Sequence, residues 1–325
     1  MEQKLLKIGI VTSGGDAPGM NSCIRAVARE AAANNIEAVG VNNGFDGLIN
    51  GDFQPLGARA VGGIIQRGGT VLQTRRSAAF RERSGQQEAI AQMKKTGIDA
   101  LVIIGGDGSL NGAHVLAKEG IPVIGVPASI DNDIWRTDMA IGVDTAMNTI
   151  MEAVDKLRDT ASSHGRTFIV ETMGRGCGYL ALMAGIACGA EMVLIPEVQV
   201  TMDEVVEALD SAYRREKTNL IIVVAEGANI RTSELVKVLH EKRVGFEARV
   251  TILGHIQRGG SPTAFDRMLA ARMGSKAVEA LIAGHTDVMT GLQGGKIKLI
   301  PLEEVVSHKR TANLDYYTMA RRLAT

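Results

Sequence analysis

The sequence predicts an α/β fold: two doubly wound, mainly parallel sheets with helices on both faces, and an active site in the cleft between two domains. Three observations carry that expectation. Short Val- and Ile-rich runs alternate with segments of helical period along the 325 residues, the pattern of βαβ units. Several of these runs are apolar throughout, as strands buried on both faces are. Glycine is in excess, at 38 of 325 or about 12%, against a usual ~7%. It clusters in pairs, such as 14–15, 68–69, 105–106, 259–260 and 294–295, where a chain turns sharply or approaches a ligand closely.

Candidate strands are 7–12, 37–41, 100–104, 122–126, 167–171, 219–224 and 249–253. Between them lie helices: Ile24, Val27, Ala28 and Ala31 share one helical face, and Met147, Ile150, Met151 and Val154 share another. Seven strands or more are enough for two sheets. The division is placed near residue 138. A return to the first sheet is expected because a Gly-rich strand-end motif recurs near 255. Residues 65–70 (IQRGGT) and 256–261 (IQRGGS) are near copies, with no match in their flanks.

The composition excludes several classes. Hydrophobic residues make up 45% and charged residues 22%, so the chain as a whole is not disordered. With 36 basic and 36 acidic residues the net charge is zero, unlike a nucleic-acid-coating protein. Zero charge gives little protection against association, which fits an oligomer. Three cysteines make no disulfide framework or metal spacing. No apolar run approaches the ~18 residues of a membrane span, and the short charged start is no signal peptide. The expectation is a cytoplasmic protein.

Ligands of open parallel sheets bind beyond the carboxyl ends of strands, so the residues after each strand are the informative ones. After the first comes Ser13-Gly14-Gly15-Asp16 and then a helix, a natural phosphate cradle. It is neither a dinucleotide fingerprint nor a Walker A loop. After the third comes Gly105-Gly106-Asp107-Gly108-Ser109, where Asp107 could hold Mg²⁺ and the glycines admit nucleotide phosphate. After the fourth comes Ser129-Ile130-Asp131-Asn132-Asp133. Alone this is an ordinary polar loop; third in the series, it supplies a candidate base for a substrate hydroxyl.

In the second half, Met173-Gly174-Arg175-Gly176, Glu226-Gly227 and Gly254-His255-Ile256-Gln257-Arg258 each follow a strand. With Arg166 and Arg249 they gather cations suited to a second phosphate. A lone arginine is usually a surface ion pair, but several beside strand ends are not so easily dismissed. Two phosphate sites, a metal carboxylate and an Asp base together describe phosphoryl transfer.

The chain resembles the bacterial-type ATP-dependent 6-phosphofructokinases over its whole length. The motifs are SGGDAPGMN (13–21), QRGGT (66–70), GGDGS (105–109), SIDND (129–133), MGR (173–175), AEG (225–227) and LGHIQRGGSPTAFDR (253–267). The resemblance implies MgATP-dependent phosphorylation of fructose 6-phosphate on its 1-hydroxyl. It assigns ATP to residues 1–138 plus about 252–305, and fructose 6-phosphate to about 139–251 plus 306–325. Gly15, Arg76, Gly106, Asp107, Gly108 and Ser109 would bind ATP, with Asp107 on Mg²⁺. Asp131 would be the base, and Ser129 and Arg175 would steady the transferring group; Asp133, two residues on, is read from the loop itself as support for metal or orientation. Met173, Gly174, Glu226, His255 and Arg258 would hold the sugar phosphate. Arg166 and Arg249 would reach over from a neighbouring subunit of a homotetramer.

Pyrophosphate-using relatives carry Asp where this chain has Gly108 and Lys where it has Ala128, so ATP is the expected donor. The resemblance also implies an effector site for ADP and phosphoenolpyruvate, at Arg25, Arg29, Arg158, Glu191, Arg215 and Lys217. It matches in part: Ala58 stands where an arginine is expected, and Thr218-Asn219 replace a Lys-His pair. The competing readings are a pyrophosphate-dependent or other sugar-phosphate kinase, and a catalytically silent nucleotide-sensing subunit.

Overall fold

A computed structural model describes residues 5–164, 166–215, 220–242 and 247–324. Strand β1 (Lys7–Ser13) turns into helix α1 (Met20–Ala33). Then follow β2 (Glu37–Val41), α2 (Phe45–Asn50), β3 (Phe53–Pro55), α3 (Arg83–Thr96), β4 (Ala100–Gly105), α4 (Asp107–Lys118) and β5 (Val123–Pro127). The long α5 (Val143–His164) opens a second stretch. It continues with β6 (Arg166–Thr172), α6 (Tyr179–Ala187), β7 (Met192–Leu194), α7 (Met202–Arg214), β8 (Leu220–Ala225), α8 (Thr232–Glu241) and β9 (Glu247–Ile252). The chain closes with α9 (Ala264–Ile282), β10 (Val288–Gln293), β11 (Lys296–Pro301), α10 (Leu302–Val306) and α11 (Leu314–Leu323).

Two compact units result. The first is Met1–Ile130, Ile134–Thr145 and Arg258–Lys309; the second is Asp131–Asp133, Ala146–Gln257 and Arg310–Thr325. The boundaries therefore fall several residues beyond those expected at 138, 252 and 305. Residues 134–145 stay with the first unit because the segment after β5 bonds back to that sheet. Ile141 N–H donates to the Pro127 carbonyl (3.0 Å), Ser129 N–H to the Ile141 carbonyl (3.1 Å) and Asp138 N–H to the Leu292 carbonyl (2.7 Å).

The first unit is a seven-stranded sheet in the order β11-β10-β5-β4-β1-β2-β3. Its five central strands are parallel, with β3 and β11 antiparallel at the edges. The chain leaves β1 for β2 on one side and β4 for β5 on the other. The order thus reverses between β1 and β4, where Ser13 pairs with Gly105. That reversal is where an open α/β sheet leaves a crevice for ligand.

The second unit is an all-parallel sheet, β7-β8-β6-β9. All six residues of β8 are buried. Val205 and Leu209 of α7 and Leu235 and Leu239 of α8 pack with Ile169, Leu220 and Ile222, each worth ~1.5–3 kcal/mol of burial. Edge strand β9 leaves Val250 and Ile252 exposed. Among the described residues no helix is long and apolar enough to cross a membrane. The cysteines are unpaired, and burial pushes the Cys177 and Cys188 thiols up to about 11.

Strands β3, β7, β10 and β11 escape the sequence reading. The first two span three residues each, less than any period can register. The last two form a hairpin on Gly294 and Gly295, both at positive φ, as a two-residue hairpin turn requires. The two IQRGG copies meet: Ser261 Oγ donates to the Gln66 carbonyl (2.7 Å), and a Cβ on Gly68 would overlap the Gly260 carbonyl.

Candidate active site

In the first unit the loops after β1, β4 and β5 come together. Helices α1 and α4 begin at Gly19 and Gly106 with no side-chain cap, leaving first-turn N–H groups for an anion. A Cβ on Gly105 would lie 2.5 Å from both Ser109 Oγ and the Ser13 carbonyl, so only glycine lets these loops close up. One on Gly106 would touch Ser129 Cβ at 3.8 Å, which puts the β4 and β5 loops side by side. Gly108 has open space around it.

Arg258 arrives on the same loops. Its Nη1 donates to the Asp16 carbonyl (3.0 Å), and a side chain on Gly15 would collide with its guanidinium. Sequence reasoning separated Gly15 and Arg258 into nucleotide and sugar sites; here they touch. Arg76 is exposed, two residues beyond Thr74, whose hydroxyl donates to the Gly14 carbonyl (2.8 Å). Asn21, the last residue of SGGDAPGMN but with no role read from the sequence, fixes the QRGGT segment through bonds to Arg67, Gly68 and Val71.

A second residue with no role read from the sequence is Asp266, fully buried in the first turn of α9. Its Oδ1 accepts from Gly142 N–H (2.9 Å), and its Oδ2 from the Thr145 N–H (2.8 Å) and hydroxyl (2.6 Å). Burial pushes its pKa up to about 6, against the pull of these three donors and with a small push from Asp144. The native state therefore holds this proton more tightly than the unfolded chain, whose carboxyl titrates near 3.8. The group's stabilising contribution is complete below about pH 4 and is lost as pH rises to about 6. Urea unfolding of wild type and Asp266→Asn should show the variant gaining roughly 3 kcal/mol relative to wild type across that window, and nothing further above it.

In the second unit, Asp131 is buried and its Oδ2 lies 3.3 Å from Nε of Arg175, whose side chain is 52% exposed. Arg175 sits at φ 50, a left-handed backbone that costs a non-glycine residue energy and recurs at functional sites. It is held there by Glu226, whose Oε1 accepts from Gly174 N–H (3.2 Å) and Arg175 N–H (2.8 Å). Gln257, named in a strand-end motif but with no role read from the sequence, ties Met173 N–H (3.3 Å) to the Gly254 carbonyl (3.0 Å). His255 is exposed on that same short turn. Glu197 anchors the start of α6 and the C-terminal segment through Gly178 N–H and Ala312 N–H. Asp133 is partly buried two residues after Asp131; its carbonyl accepts from Arg310 N–H (3.1 Å), and its charge reaches the Cys177 thiol.

Arg166 and Arg249 are elsewhere. Both bracket Glu247, Arg166 at 3.3 Å; Arg166 opens β6, and Arg249 pairs with Phe168 two residues further along that strand. Along β6 that is roughly 15–20 Å from the Met173 end. Within one chain they do not join the other sugar-site candidates.

A family model described as Phosphofructokinase matches residues 7–281. The chain belongs to the phosphofructokinase family. A relative from Thermotoga neapolitana, named ATP-dependent 6-phosphofructokinase, is 53% identical over 98% of this chain and 99% of its own length. One of the same name from Brevibacillus brevis is 49% identical with the same coverage. The solved phosphofructokinase of Saccharomyces cerevisiae is 38% identical with a TM-score of 0.87; it covers 93% of this chain, which spans 45% of that longer one.

Of the effector candidates of this phosphofructokinase-family chain, Arg25 and Arg29 lie one turn apart on α1 in the first unit. In the second, Arg158 Nη2 donates to the Cys188 carbonyl (2.6 Å), and Glu191 accepts from Ile221 N–H (2.6 Å). Glu191 and Arg215 line one mostly apolar cavity of about 510 Å³ beside α7 and α11. Lys217, Thr218 and Asn219 lie outside the described residues.

Proposed function

We propose that this chain is an ATP-dependent 6-phosphofructokinase, transferring the γ-phosphoryl of ATP to the 1-hydroxyl of fructose 6-phosphate in glycolysis. The observation that carries the reading is the buried Asp131 carboxylate paired with the half-exposed Arg175. An acid group shielded from water can take the hydroxyl proton as the O–P bond forms. The exposed face of the guanidinium is left to meet the phosphoryl oxygens. Ser129, two residues from Asp131, offers a hydroxyl to the same group.

The nucleotide is assigned to the open ends of β1 and β4: Gly15, Gly106, Gly108 and Ser109, with Arg76 at the rim. The residues fit Mg²⁺ in one way. Among the described residues no three metal-binding side chains cluster. A single carboxylate, Asp107, stands at the start of α4, which suits an ion carried on phosphate oxygens and water. Bound there, Mg²⁺ supplies charge neutralisation during transfer. Met173, Gly174, Glu226, His255 and Arg258 hold the sugar phosphate. Arg166 and Arg249 act on a neighbouring subunit's substrate in a homotetramer, supported by their distance from the Met173 turn and by the exposed apolar edge of β9. ADP and phosphoenolpyruvate are the effectors proposed for Arg25, Arg29, Arg158, Glu191, Arg215 and Lys217. A cytoplasmic location is part of this proposal, supported by three unpaired cysteines, a usage that suits a reducing compartment.

The test is a coupled assay of fructose 1,6-bisphosphate formation with MgATP and, separately, with pyrophosphate. Turnover is expected with ATP alone; faster turnover with pyrophosphate would overturn the donor. Gly108→Asp adds a side chain where nothing lies within 4 Å, so folding should be unaffected. Its charge faces the nucleotide, and KM for ATP should rise by roughly 10-fold or more, with KM for fructose 6-phosphate within about twofold.

A further inference from the structure

Three separate loops of the first unit converge on the Asp266 carboxylate. From the loop after β5, Gly142 N–H reaches Oδ1, while Thr145 in the first turn of α5 gives Oδ2 both its N–H and its hydroxyl. From the segment before α9, Thr263 is interlocked with the same turn. Its hydroxyl donates to Asp144 Oδ2 (2.6 Å) and accepts from Asp266 N–H (3.2 Å), and its own N–H donates to Thr145 Oγ1 (3.1 Å). From the loop after β1, Gly19 packs against this cluster. A Cβ there would sit 2.6 Å from Ile141 Cγ2 and 3.6 Å from Asp266 Cβ, and one on Gly142 would sit 2.7 Å from Ala17 Cβ. Both glycines have φ above 100°.

The knot is one residue from the site. Gly142 follows Ile141, whose N–H and carbonyl bond Pro127 and Ser129, and the next residue back, Ala128, bonds the Gly105 carbonyl (3.0 Å). A displacement of Gly142 therefore passes through Ile141 to Ser129 by one backbone hydrogen bond and to Pro127 by another. We propose that Asp266 is a positioning residue for phosphoryl transfer: its buried carboxylate clamps the Ile141–Thr145 segment and thereby sets the place of Ser129. The same anchor fixes the chain that carries Arg258 back into the first unit. Above about pH 6 the group is a carboxylate with acceptors only, and an Asn amide there turns one acceptor into a donor aimed at N–H or O–H donors. A buried group needs all three bonds to remain where it is.

This inference rests on the kinase reading, and the experiment separates the two. Turnover of wild type with MgATP and fructose 6-phosphate tests the reading itself. Hydrogen exchange of the full chain tests the clamp whether or not that assay succeeds. In Asp266→Asn, peptides covering 127–145 should exchange at least tenfold faster, while those covering β6 and β8 keep wild-type protection. Unchanged exchange at 127–145, or an equal loss everywhere, overturns the proposal. In the assay, kcat per folded enzyme should fall at least tenfold, with KM for fructose 6-phosphate within about threefold, the signature of an interaction made in the transition state. A kcat within twofold of wild type, or a loss confined to KM, counts against it. Thr145→Val, which keeps the carboxylate and removes one donor, should show the same split at a smaller size, about threefold. If Asp266→Asn does not fold, that variant decides, and wild-type kcat in it overturns the proposal.

Discussion

Asp131→Asn should lower kcat by about 10²–10⁴ with little change in KM for either substrate, because general-base catalysis is worth that much. The substitution keeps the shape of a side chain that is 2% exposed and loses its charge and its ability to accept a proton. The pairing with Arg175 would be weakened as well, so circular dichroism and thermal melting should accompany the kinetics. A folded variant that keeps more than a tenth of wild-type kcat would remove Asp131 from the role of base.

Gly227→Ala is the next largest effect expected, from a residue that touches no substrate. A Cβ at 227 would overlap the backbone carbonyl of Arg175, and backbone cannot swing aside as a side chain can. The turn Met173–Gly176 must move, taking with it the left-handed Arg175 and its bonds to Glu226. Displacement of a positioning group by about 1 Å costs on the order of 10² in rate. The expected result is a loss of roughly that size in kcat/KM for fructose 6-phosphate, while KM for ATP stays near wild type, since the nucleotide loops belong to the other unit. Steady-state kinetics with each substrate varied in turn decide it. Equal losses toward both substrates would point to general unfolding.

The strand-end loops were legible in the sequence because their chemistry is local. A buried apolar run that stops at Gly105-Gly106-Asp107 or Met173-Gly174-Arg175 announces both the strand and the exposed residues after it. What stayed hidden is long-range. Asp266 reaches Gly142 across 124 positions, Gln257 reaches Met173 across 84, and Glu197 reaches Ala312 across 115. No periodicity or spacing records such partners, and each of these residues by itself looks like an ordinary polar side chain. The likeness of 65–70 to 256–261 was visible, but its packing of Gly68 on Gly260 was not. The division of the chain was displaced for a related reason. Residues 134–145 belong by hydrogen bonding to a sheet they have already left in sequence.

The state of the thiols has a consequence for their oxidation. Cys177 stands two residues from Arg175, yet burial lifts its pKa to about 11. At neutral pH only about one such thiol in 10⁴ is the reactive thiolate. Cys188 is raised as far, and Cys23 is wholly buried and raised further. Peroxide reacts with the thiolate, so the three cysteines, Cys177 beside the Arg175 turn among them, would be slow to oxidise.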